Sequence, residues 1–478
     1  MNYTHQPVVR TILADLLTPV ALYDRLAGAP YTYLLESVEG GERWARYSMI
    51  GLPAREVATI RDHHLTIRRD GAVIEERELA DPLAWLADYH ATIRPAPLPV
   101  DLPFSGGLVG YMAYDSIGYI EKRLAKRPQN DPLGVPDILY MQSLDVAVLD
   151  NLRGEVHLIS HADLADPDGL AAAEARLDAM VAAINRPGTA QVRALNRNAR
   201  PPVIHHHYPE AQFKADVAKI REYIKAGDCM QVVPSQRMSC AYTHAPLDYY
   251  RALRHTNPSP YMYLLDLDDF HIIGSSPEIL ARVQGDTVTV RPLAGTRKRG
   301  KTPEEDKALE QELLADAKEI AEHVMLIDLG RNDIGRVCKT GTVKISEKMV
   351  IERYSHVMHI VSNVEGTLRD DVGPMDVLRA TFPAGTLSGA PKIRAMEIID
   401  EVEPERRGVY GGAVGYWSWG GNMDMAIAIR TAIIKNGRLY AQAGAGIVYD
   451  SNPDSEWQET LNKAGAVIAA ASLLDEGE

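Results

Sequence analysis

Two pairs of glutamates occur with the same three-residue spacing. Glu319 and Glu322 lie in one stretch with helical periodicity, and Glu456 and Glu459 lie in another. Residues three apart share a helix face, so each stretch would present two carboxylates to one side. If the two helices met, these carboxylates would suit Mg²⁺, a hard cation that prefers oxygen ligands and keeps some of its waters. The competing interpretation is that each pair forms an ordinary solvated helix face.

A second pattern, at residues 295–302, matches the GxxxxGK[ST] signature of nucleotide-binding loops. Asp328, near the end of an apolar run, imitates the Mg²⁺-binding aspartate of such proteins. However, Pro303 is followed by three carboxylates at a predicted helix N-terminus, where they would repel a triphosphate. Long Arg and Lys side chains inside the loop would also hinder its backbone from wrapping phosphate. A P-loop nucleotide hydrolase is therefore an alternative from a different functional class, and the sequence disfavours it.

Both glutamate pairs need helices to position them. The first predicted helix spans residues 307–329; the second begins at Asn452, a helix-capping residue type, with Pro453 in the first turn. Earlier in the chain, short apolar or alternating runs separated by Gly, Asp and Pro predict antiparallel strands. Residues 106–111 and 411–416 echo one another as GGLVGY and GGAVGY, and each opens a strand-like run. Six residues are too few to indicate a duplication.

Composition narrows the class of protein. The 478 residues are 46% hydrophobic and 24% charged, as in ordinary globular proteins. The net charge of -14 argues against binding to nucleic acid or to an anionic membrane surface. The chain has three cysteines without CxxC spacing, and it lacks a signal-peptide pattern or a membrane-length apolar run. Reduced thiols and a cytoplasmic location are therefore expected.

The length exceeds what one hydrophobic core usually supports, which favours more than one domain. A polar stretch with three prolines at residues 185–202 is the best linker candidate. We predict an N-terminal domain at 1–190, a linker at 191–205 and a catalytic domain at 206–478. The histidines at 205–207 are assigned to the linker, with metal binding as the alternative.

Three longer motifs, at residues 318–335, 385–392 and 454–459, resemble those of the chorismate-binding enzymes. The resemblance runs from about residue 213 to 470, and the segments 34–37 and 106–111 extend it towards the N-terminus. The family includes anthranilate, aminodeoxychorismate, isochorismate and salicylate synthases. It implies an α+β fold in which two antiparallel β-sheets face one another with helices packed outside.

The resemblance also implies roles for individual residues. Mg²⁺ would be held directly by Glu322 and Glu459, and through water by Glu319 and Glu456. Glu278 matches the general acid that protonates the departing 4-hydroxyl of chorismate, because hydroxide is too basic to leave unaided. The remaining implied contacts with chorismate are Gly295, Thr296, Thr386, Tyr410, Arg430, Gly444, Ala445, Gly446 and Lys463.

Three positions bear on the type of reaction. Gln231 stands where water-adding members carry a general-base lysine, and an amide cannot deprotonate water. Ala294 stands where aminodeoxychorismate synthases carry a lysine that attacks carbon 2, which leaves room for free ammonia. His359 matches the histidine tied to removal of the ring proton when pyruvate is eliminated. These positions favour the anthranilate synthases, which open tryptophan biosynthesis and pass through aminodeoxyisochorismate; aminodeoxychorismate synthase is the alternative within the family.

Two further expectations follow from the resemblance. The cysteines lie within the motif-bearing region and not in a separate glutaminase module, so ammonia would come from a partner glutamine amidotransferase in a hetero-oligomer, or from solution. Ser37, Pro260, Tyr261 and Met262 match the family's site for tryptophan as feedback inhibitor. The competing interpretation is that these four are turn and core residues.

Overall fold

The computed structural model describes residues 3–38, 46–126, 128, 130–196, 198–354 and 357–474. The fold is α+β, as predicted, with two large antiparallel sheets. The strands are β1 (His5–Leu13), β2 (Thr32–Glu36), β3 (Tyr47–Gly51), β4 (Glu56–Arg61), β5 (His64–Arg69), β6 (Ala72–Glu78), β7 (Gly107–Met112), β8 (Ile138–Ser143), β9 (Asp145–Asp150), β10 (Glu155–Asp163), β11 (His205–His206), β12 (Gln231–Val232), β13 (Ser235–Ala241), β14 (Tyr261–Asp266), β15 (Phe270–Ser276), β16 (Ile279–Gln284), β17 (Thr287–Val290), β18 (Leu293–Lys298), β19 (Lys344–Arg353), β20 (Val357–Thr367), β21 (Gly389–Ala390), β22 (Ala413–Ser418), β23 (Met423–Ile427), β24 (Thr431–Lys435) and β25 (Arg438–Gly444). The helices are α1 (Pro19–Leu26), α2 (Pro82–Ala91), α3 (Ile117–Ile120), α4 (Gly169–Ile184), α5 (Glu210–Lys225), α6 (Pro246–Thr256), α7 (Pro303–Ala315), α8 (Ala317–Gly335), α9 (Pro374–Thr381), α10 (Gly385–Ser388), α11 (Lys392–Val402) and α12 (Pro453–Ala469).

In the described chain, the first sheet has eleven strands in the order β1-β10-β9-β3-β2-β14-β15-β24-β25-β13-β11. The second has twelve, in the order β18-β20-β17-β16-β23-β22-β7-β8-β4-β5-β6, with β19 also paired to β20. Each sheet therefore draws strands from both sides of the stretch 191–205. The division into two domains stays a prediction.

The sheets face one another across a core to which both contribute, including Tyr33 and Tyr263 from the first sheet and Val109 and Val414 from the second. Side chains alternate across a strand, so Leu34 points to the opposite face, where α1, α4, α6 and α12 cover the first sheet. Helices α2, α8, α9 and α11 cover the outer face of the second sheet. The predicted arrangement of facing sheets with helices outside is confirmed.

The two echoing glycine-rich segments pair directly with each other. Strand β7 runs antiparallel to β22, with Gly110 opposite Gly415. A Cβ on Gly110 would lie 1.9 Å from the carbonyl oxygen of Leu139 in the neighbouring strand, and one on Gly415 would lie 2.1 Å from that of Asp424. Glycine is needed at both positions because the backbones approach too closely for a side chain.

The prediction of a single helix over 307–329 is wrong in its continuity, although all of these residues except Asp316 are helical. The stretch is divided into α7 and α8 at Asp316, whose carboxylate accepts hydrogen bonds from the backbone N–H groups of Lys318 and Glu319 and so caps α8. The predicted start of α12 is confirmed, since the side chain of Asn452 accepts from the N–H groups of Asp454 and Ser455.

The structure contradicts the alternative of a nucleotide-binding loop. Residues 295–298 belong to β18, which pairs with β20. Beyond that strand, the carboxylates of Asp306 and Glu305 accept from the N–H groups of Gly300 and Lys301. The amides that would bind phosphate are thus occupied by the protein's own carboxylates.

The histidines at 205–207 are partly ordered by strand pairing. His205 and His206 form β11 against β13. The ring of His206 lies 3.0 Å from Oε1 of Gln236, and that of His207 lies 3.0 Å from Oγ of Ser239.

Within the described chain, Cys229, Cys240 and Cys338 are buried free thiols, and none of the helices is long and apolar enough to cross a membrane.

Candidate active site

Glu278 lies between β15 and β16 and is buried. Its Oε1 accepts a hydrogen bond of 3.1 Å from the hydroxyl of Thr386, and its carbonyl accepts one from the N–H of Ile427 in β23. Burial raises the pKa of Glu278 to about 8, although the Thr386 bond and the charge of Lys463 act in the opposite direction. A carboxyl with this pKa carries a proton at neutral pH and can donate it.

His359 lies on β20 opposite Thr296 of β18. Its Nδ1 is 2.9 Å from the carbonyl oxygen of Gly295, an atom that can only accept, so Nδ1 carries the proton and Nε2 a free lone pair. The hydroxyl of Thr296 is 3.1 Å from the same Nδ1. Burial lowers the pKa of His359 to about 4. At neutral pH the ring is uncharged, and Nε2 can accept a proton.

Cationic groups gather beside these two residues. Nζ of Lys463 donates to the carbonyl oxygen of Gly444 at 3.1 Å and pairs with Glu459 at 2.7 Å. Arg430 has no carboxylate ion-pair partner among the described residues, and its charge, like that of Lys463, lowers the pKa of His359. A cation that is largely buried without an anionic partner is suited to binding a ligand carboxylate.

The glycine-rich segment 444–446 passes close to the same groups. A Cβ on Gly444 would lie 3.0 Å from the hydroxyl of Tyr410, and one on Gly446 would lie 2.5 Å from Nε2 of Gln231. Ala445, between them, is buried. The structure therefore brings the predicted chorismate contacts of β18, α10, β25 and α12 around one centre.

The two glutamate pairs also approach this centre. Burial and the charge of Glu322 raise the pKa of Glu319 on α8, and burial and the charge of Glu459 raise the pKa of Glu456 on α12. Lys318 of α8 lies close enough to Glu456 to lower the pKa of that carboxyl. The first turns of α8 and α12 are therefore neighbours.

In the described part of the chain, no three His, Cys, Asp or Glu side chains are arranged to hold a metal ion. Glu322 instead accepts a hydrogen bond of 3.1 Å from Nε2 of Gln231, and Glu459 pairs with Lys463. The donor set consists of carboxylates whose like charges are crowded together, which fits a hard divalent cation. The Mg²⁺ site itself stays a prediction.

The four residues predicted to bind tryptophan lie at the junction of β2 and β14. Met262 pairs with Glu36, and the N–H of Val38 donates to the carbonyl of Ser259, which places Ser37 beside Pro260. Pro260 and Tyr261 line a cavity of 280 Å³, whereas Met262 points to the other face of β14 and packs beneath α6.

Two groups of residues at these sites were not predicted. Arg407 and Glu403 form a buried ion pair, and Arg407 donates to the carbonyls of Leu387 and Val233, which lie one residue after Thr386 and two after Gln231. The i, i+4 spacing of the ion pair was visible in the sequence, but it resembles that of any exposed helical pair. Arg282 and Asp424 pair beside Tyr261, and no local pattern indicated that partnership because 142 residues separate them.

Comparison with known proteins bears on what this centre does. The sequence profile described as chorismate binding enzyme matches residues 35–469. Anthranilate synthase component 1 of Neisseria meningitidis is 56% identical over 479 residues, covering 100% of this chain and 97% of that protein. The protein of the same name from Pseudomonas putida is 55% identical with the same coverage.

The chain belongs to the chorismate-binding enzymes. Among solved structures, anthranilate synthase component I from Streptococcus pneumoniae superposes with a TM-score of 0.80 and 40% identity, covering 96% of this chain and 99% of that one. The isochorismate synthase MenF from Escherichia coli has a TM-score of 0.73 at 17% identity, which shows a shared fold alone. The predicted family and the predicted fold are both confirmed.

The titration of Glu278 can be measured through stability. Its folded pKa of about 8 lies above the value of 4.5 expected when unfolded, so the stabilising contribution of its proton is complete below about pH 4.5 and is lost as the pH rises through about 8. Glutamine cannot ionise. The unfolding free energy of Glu278→Gln relative to wild type should therefore rise between pH 5 and pH 9, by up to about 4 kcal/mol.

Urea unfolding of both proteins at pH 5, 7 and 9 measures this difference, and titrations elsewhere in the chain cancel in the comparison. A difference that is the same at all three pH values would show that Glu278 ionises normally in the folded protein.

Proposed function

We propose that the chain is the chorismate-using component of an anthranilate synthase, which converts chorismate and ammonia into anthranilate, pyruvate and water. The observation that carries this proposal is geometric: buried Glu278, bonded to Thr386, and buried His359, whose Nδ1 donates to Gly295 so that Nε2 can accept a proton, lie in a centre that also holds Arg430 and Lys463. The full-length relatives named anthranilate synthase component 1 support it.

The residues divide the reaction into two steps. In the first, Glu278 gives its proton to the 4-hydroxyl, which leaves as water while ammonia forms a bond to ring carbon 2. The product, aminodeoxyisochorismate, still carries the enolpyruvyl group. In the second step, Nε2 of His359 takes the proton from carbon 2, the ring C–O bond breaks, pyruvate leaves after protonation of its enol, and the ring becomes aromatic.

Binding and metal chemistry fit the same centre. Arg430 and Lys463 would hold the substrate carboxylates, and the backbone of 444–446 would allow close approach. Mg²⁺, held directly by Glu322 and Glu459 and through water by Glu319 and Glu456, would neutralise the ring carboxylate. We assign ammonia delivery to a partner glutamine amidotransferase in a hetero-oligomer, and a cytoplasmic location to the assembly.

The activity and the metal assignment are tested by one assay. Purified protein with chorismate, Mg²⁺ and ammonium at mildly alkaline pH should produce anthranilate, followed by its fluorescence. Glu322→Gln and Glu459→Gln should each lower turnover about 100-fold or more, because each deletes a proposed metal-ligand charge. Glu222→Gln, on the exposed face of α5, is the matched control and should leave turnover within about twofold of wild type.

If the wild type forms no anthranilate, the proposed function is wrong. If it does, but both glutamine variants keep normal turnover with unchanged Mg²⁺ dependence, only the metal assignment is wrong.

The two-step assignment predicts the product of a single variant. His359→Met should still consume chorismate but release aminodeoxyisochorismate, since addition does not use the imidazole and elimination does. Chromatography and mass spectrometry identify the product. His161→Met, a change at a histidine that is also buried but lies in the N-terminal half, is the control and should release anthranilate. Normal anthranilate formation by His359→Met would leave His359 without a role in elimination.

We also propose that tryptophan inhibits the enzyme at the junction of β2 and β14, where Tyr261 offers an aromatic contact and Ser37 a polar one. Coupling of about 1–3 kcal/mol would weaken chorismate binding about 5- to 150-fold, and chorismate would weaken tryptophan binding by the same factor. Ser37→Phe should fill the site and give an active enzyme that resists tryptophan. Inhibition curves at fixed chorismate test this, and overlapping curves for the two proteins would remove Ser37 from the effector site.

A further inference from the structure

Arg407 is one of the most completely enclosed charges in the described chain. It follows α11, and its side chain is only 2% exposed. Its guanidinium donates to the carbonyl oxygen of Leu387 at 2.7 Å, to that of Val233 at 2.6 Å, and to the carboxylate of Glu403 at 2.6 and 2.9 Å. The planar fork thus binds three separate segments at once.

Two of these segments adjoin residues at the candidate active site. Leu387 directly follows Thr386, whose hydroxyl binds Glu278. Val233 lies two residues after Gln231, and its N–H donates to the carbonyl of Ser388 in α10. The guanidinium therefore ties the end of α10 to the segment that follows β12.

Glu403 extends the same cluster to a third part of the site. Its Oε1 accepts from the backbone N–H of Ser235 at 2.7 Å and from the hydroxyl of Ser235 at 2.9 Å. Ser235 pairs with Gly444 in the ladder between β13 and β25. The Arg407 guanidinium also lies 5.6 Å from the centre of the Tyr410 ring and 4.4 Å from the centre of the Tyr114 ring.

These segments are short or irregular, so regular secondary structure does not fix their relative positions. Strand β12 and its partner β21 contribute two residues each, and α10 is a single turn. Buried backbone carbonyls in such segments need hydrogen-bond donors from elsewhere. A guanidinium supplies several donors in one rigid plane, which a lysine ammonium cannot reproduce.

We propose that Arg407, held by Glu403, is a positioning residue for the reaction: it sets α10 against the β12–β13 segment so that the hydroxyl of Thr386 meets the carboxyl of Glu278. The proposal rests on the function proposed above. It differs from a purely structural role, because it predicts effects on Glu278 as well as on folding.

The test compares two buried arginines. Arg407→Lys keeps the charge but loses the fork. Arg237→Lys is the control for loss of a buried guanidinium beside Arg407: Arg237 is 3% exposed, pairs with Glu405 and donates to the backbone carbonyls of Arg406 and Arg407, whereas the Arg407 guanidinium donates to the segments of α10 and β12. Both variants should lose thermal stability to a similar extent. Only Arg407→Lys should then lower kcat, by about 10- to 100-fold, because a small misplacement of catalytic groups has an effect of that size.

A second measurement follows Glu278 itself. The Thr386 bond lowers the pKa of Glu278, so loss of that bond should raise the pH at which Glu278 ionises. The unfolding free energy of four proteins is measured across pH, and each is compared with its own Glu278→Gln derivative. The four proteins are wild type, Arg407→Lys, Arg237→Lys and Thr386→Val. Arg407→Lys and Thr386→Val should shift the transition to higher pH, and the two changes combined should shift it no further than either alone. This measurement does not require activity, so it remains informative if the proposed function fails.

The proposal is overturned if Arg407→Lys and Arg237→Lys lose kcat equally and the Glu278 transition stays in place. If Arg407→Lys does not fold, Glu403→Gln replaces it. That variant keeps the shape and part of the hydrogen bonding, and the same shift in the Glu278 transition is expected. An unshifted transition in folded Glu403→Gln likewise overturns the proposal.

Discussion

Pairing between strands of the two halves of the chain is the constraint on which the rest of the structure depends. Strand β2 pairs with β14 in the first sheet, and β7 pairs with β22 in the second. Removing either ladder would split a sheet in its interior and leave an unpaired strand edge on each half of the chain, because neither ladder lies at a sheet edge. The close backbone approach at Gly110 and Gly415 is a requirement of the second ladder.

The same strand pairing places the ionisable groups of the candidate active site in a largely apolar interior. The candidate active site lies where strands of the second sheet, the end of β25 and the first turns of α8 and α12 converge, and Glu278 and His359 are buried there. Burial disfavours the charged form of each group. It therefore keeps Glu278 protonated and His359 neutral, the two states that proton donation and proton removal require.

The long sequence motifs predicted the fold and most residues of the candidate active site. The structure shows why other details could not be predicted. The helix break at Asp316 was missed because apolar periodicity continues across it, although an aspartate followed by polar residues is a capping signal. The Glu pairs were found because helical spacing is local. The Arg282–Asp424 ion pair depends on tertiary approach, which spacing along the chain does not encode; the i, i+4 spacing of Glu403 and Arg407 was visible, but it does not show that the pair is buried. Likewise, the opposite orientations of Tyr261 and Met262 follow from strand alternation once β14 is known to begin at Tyr261.

A physical route joins the proposed effector site to the active centre. The hydroxyl of Tyr261 donates to Asp424 at 2.9 Å, and Arg282 donates both to that hydroxyl and to Asp424. Arg282 lies on β16, which starts directly after Glu278. Asp424 lies on β23, where the N–H of Ile427 donates to the carbonyl of Glu278. A ligand that moved Tyr261 would therefore act on both strands that position Glu278, the proposed general acid. Because the cluster is partly buried and hydrogen-bonded between the two sheets, a shift of one member disturbs the bonds of the others. Binding at either site would then bias the same set of strands, which is the structural condition for reciprocal coupling.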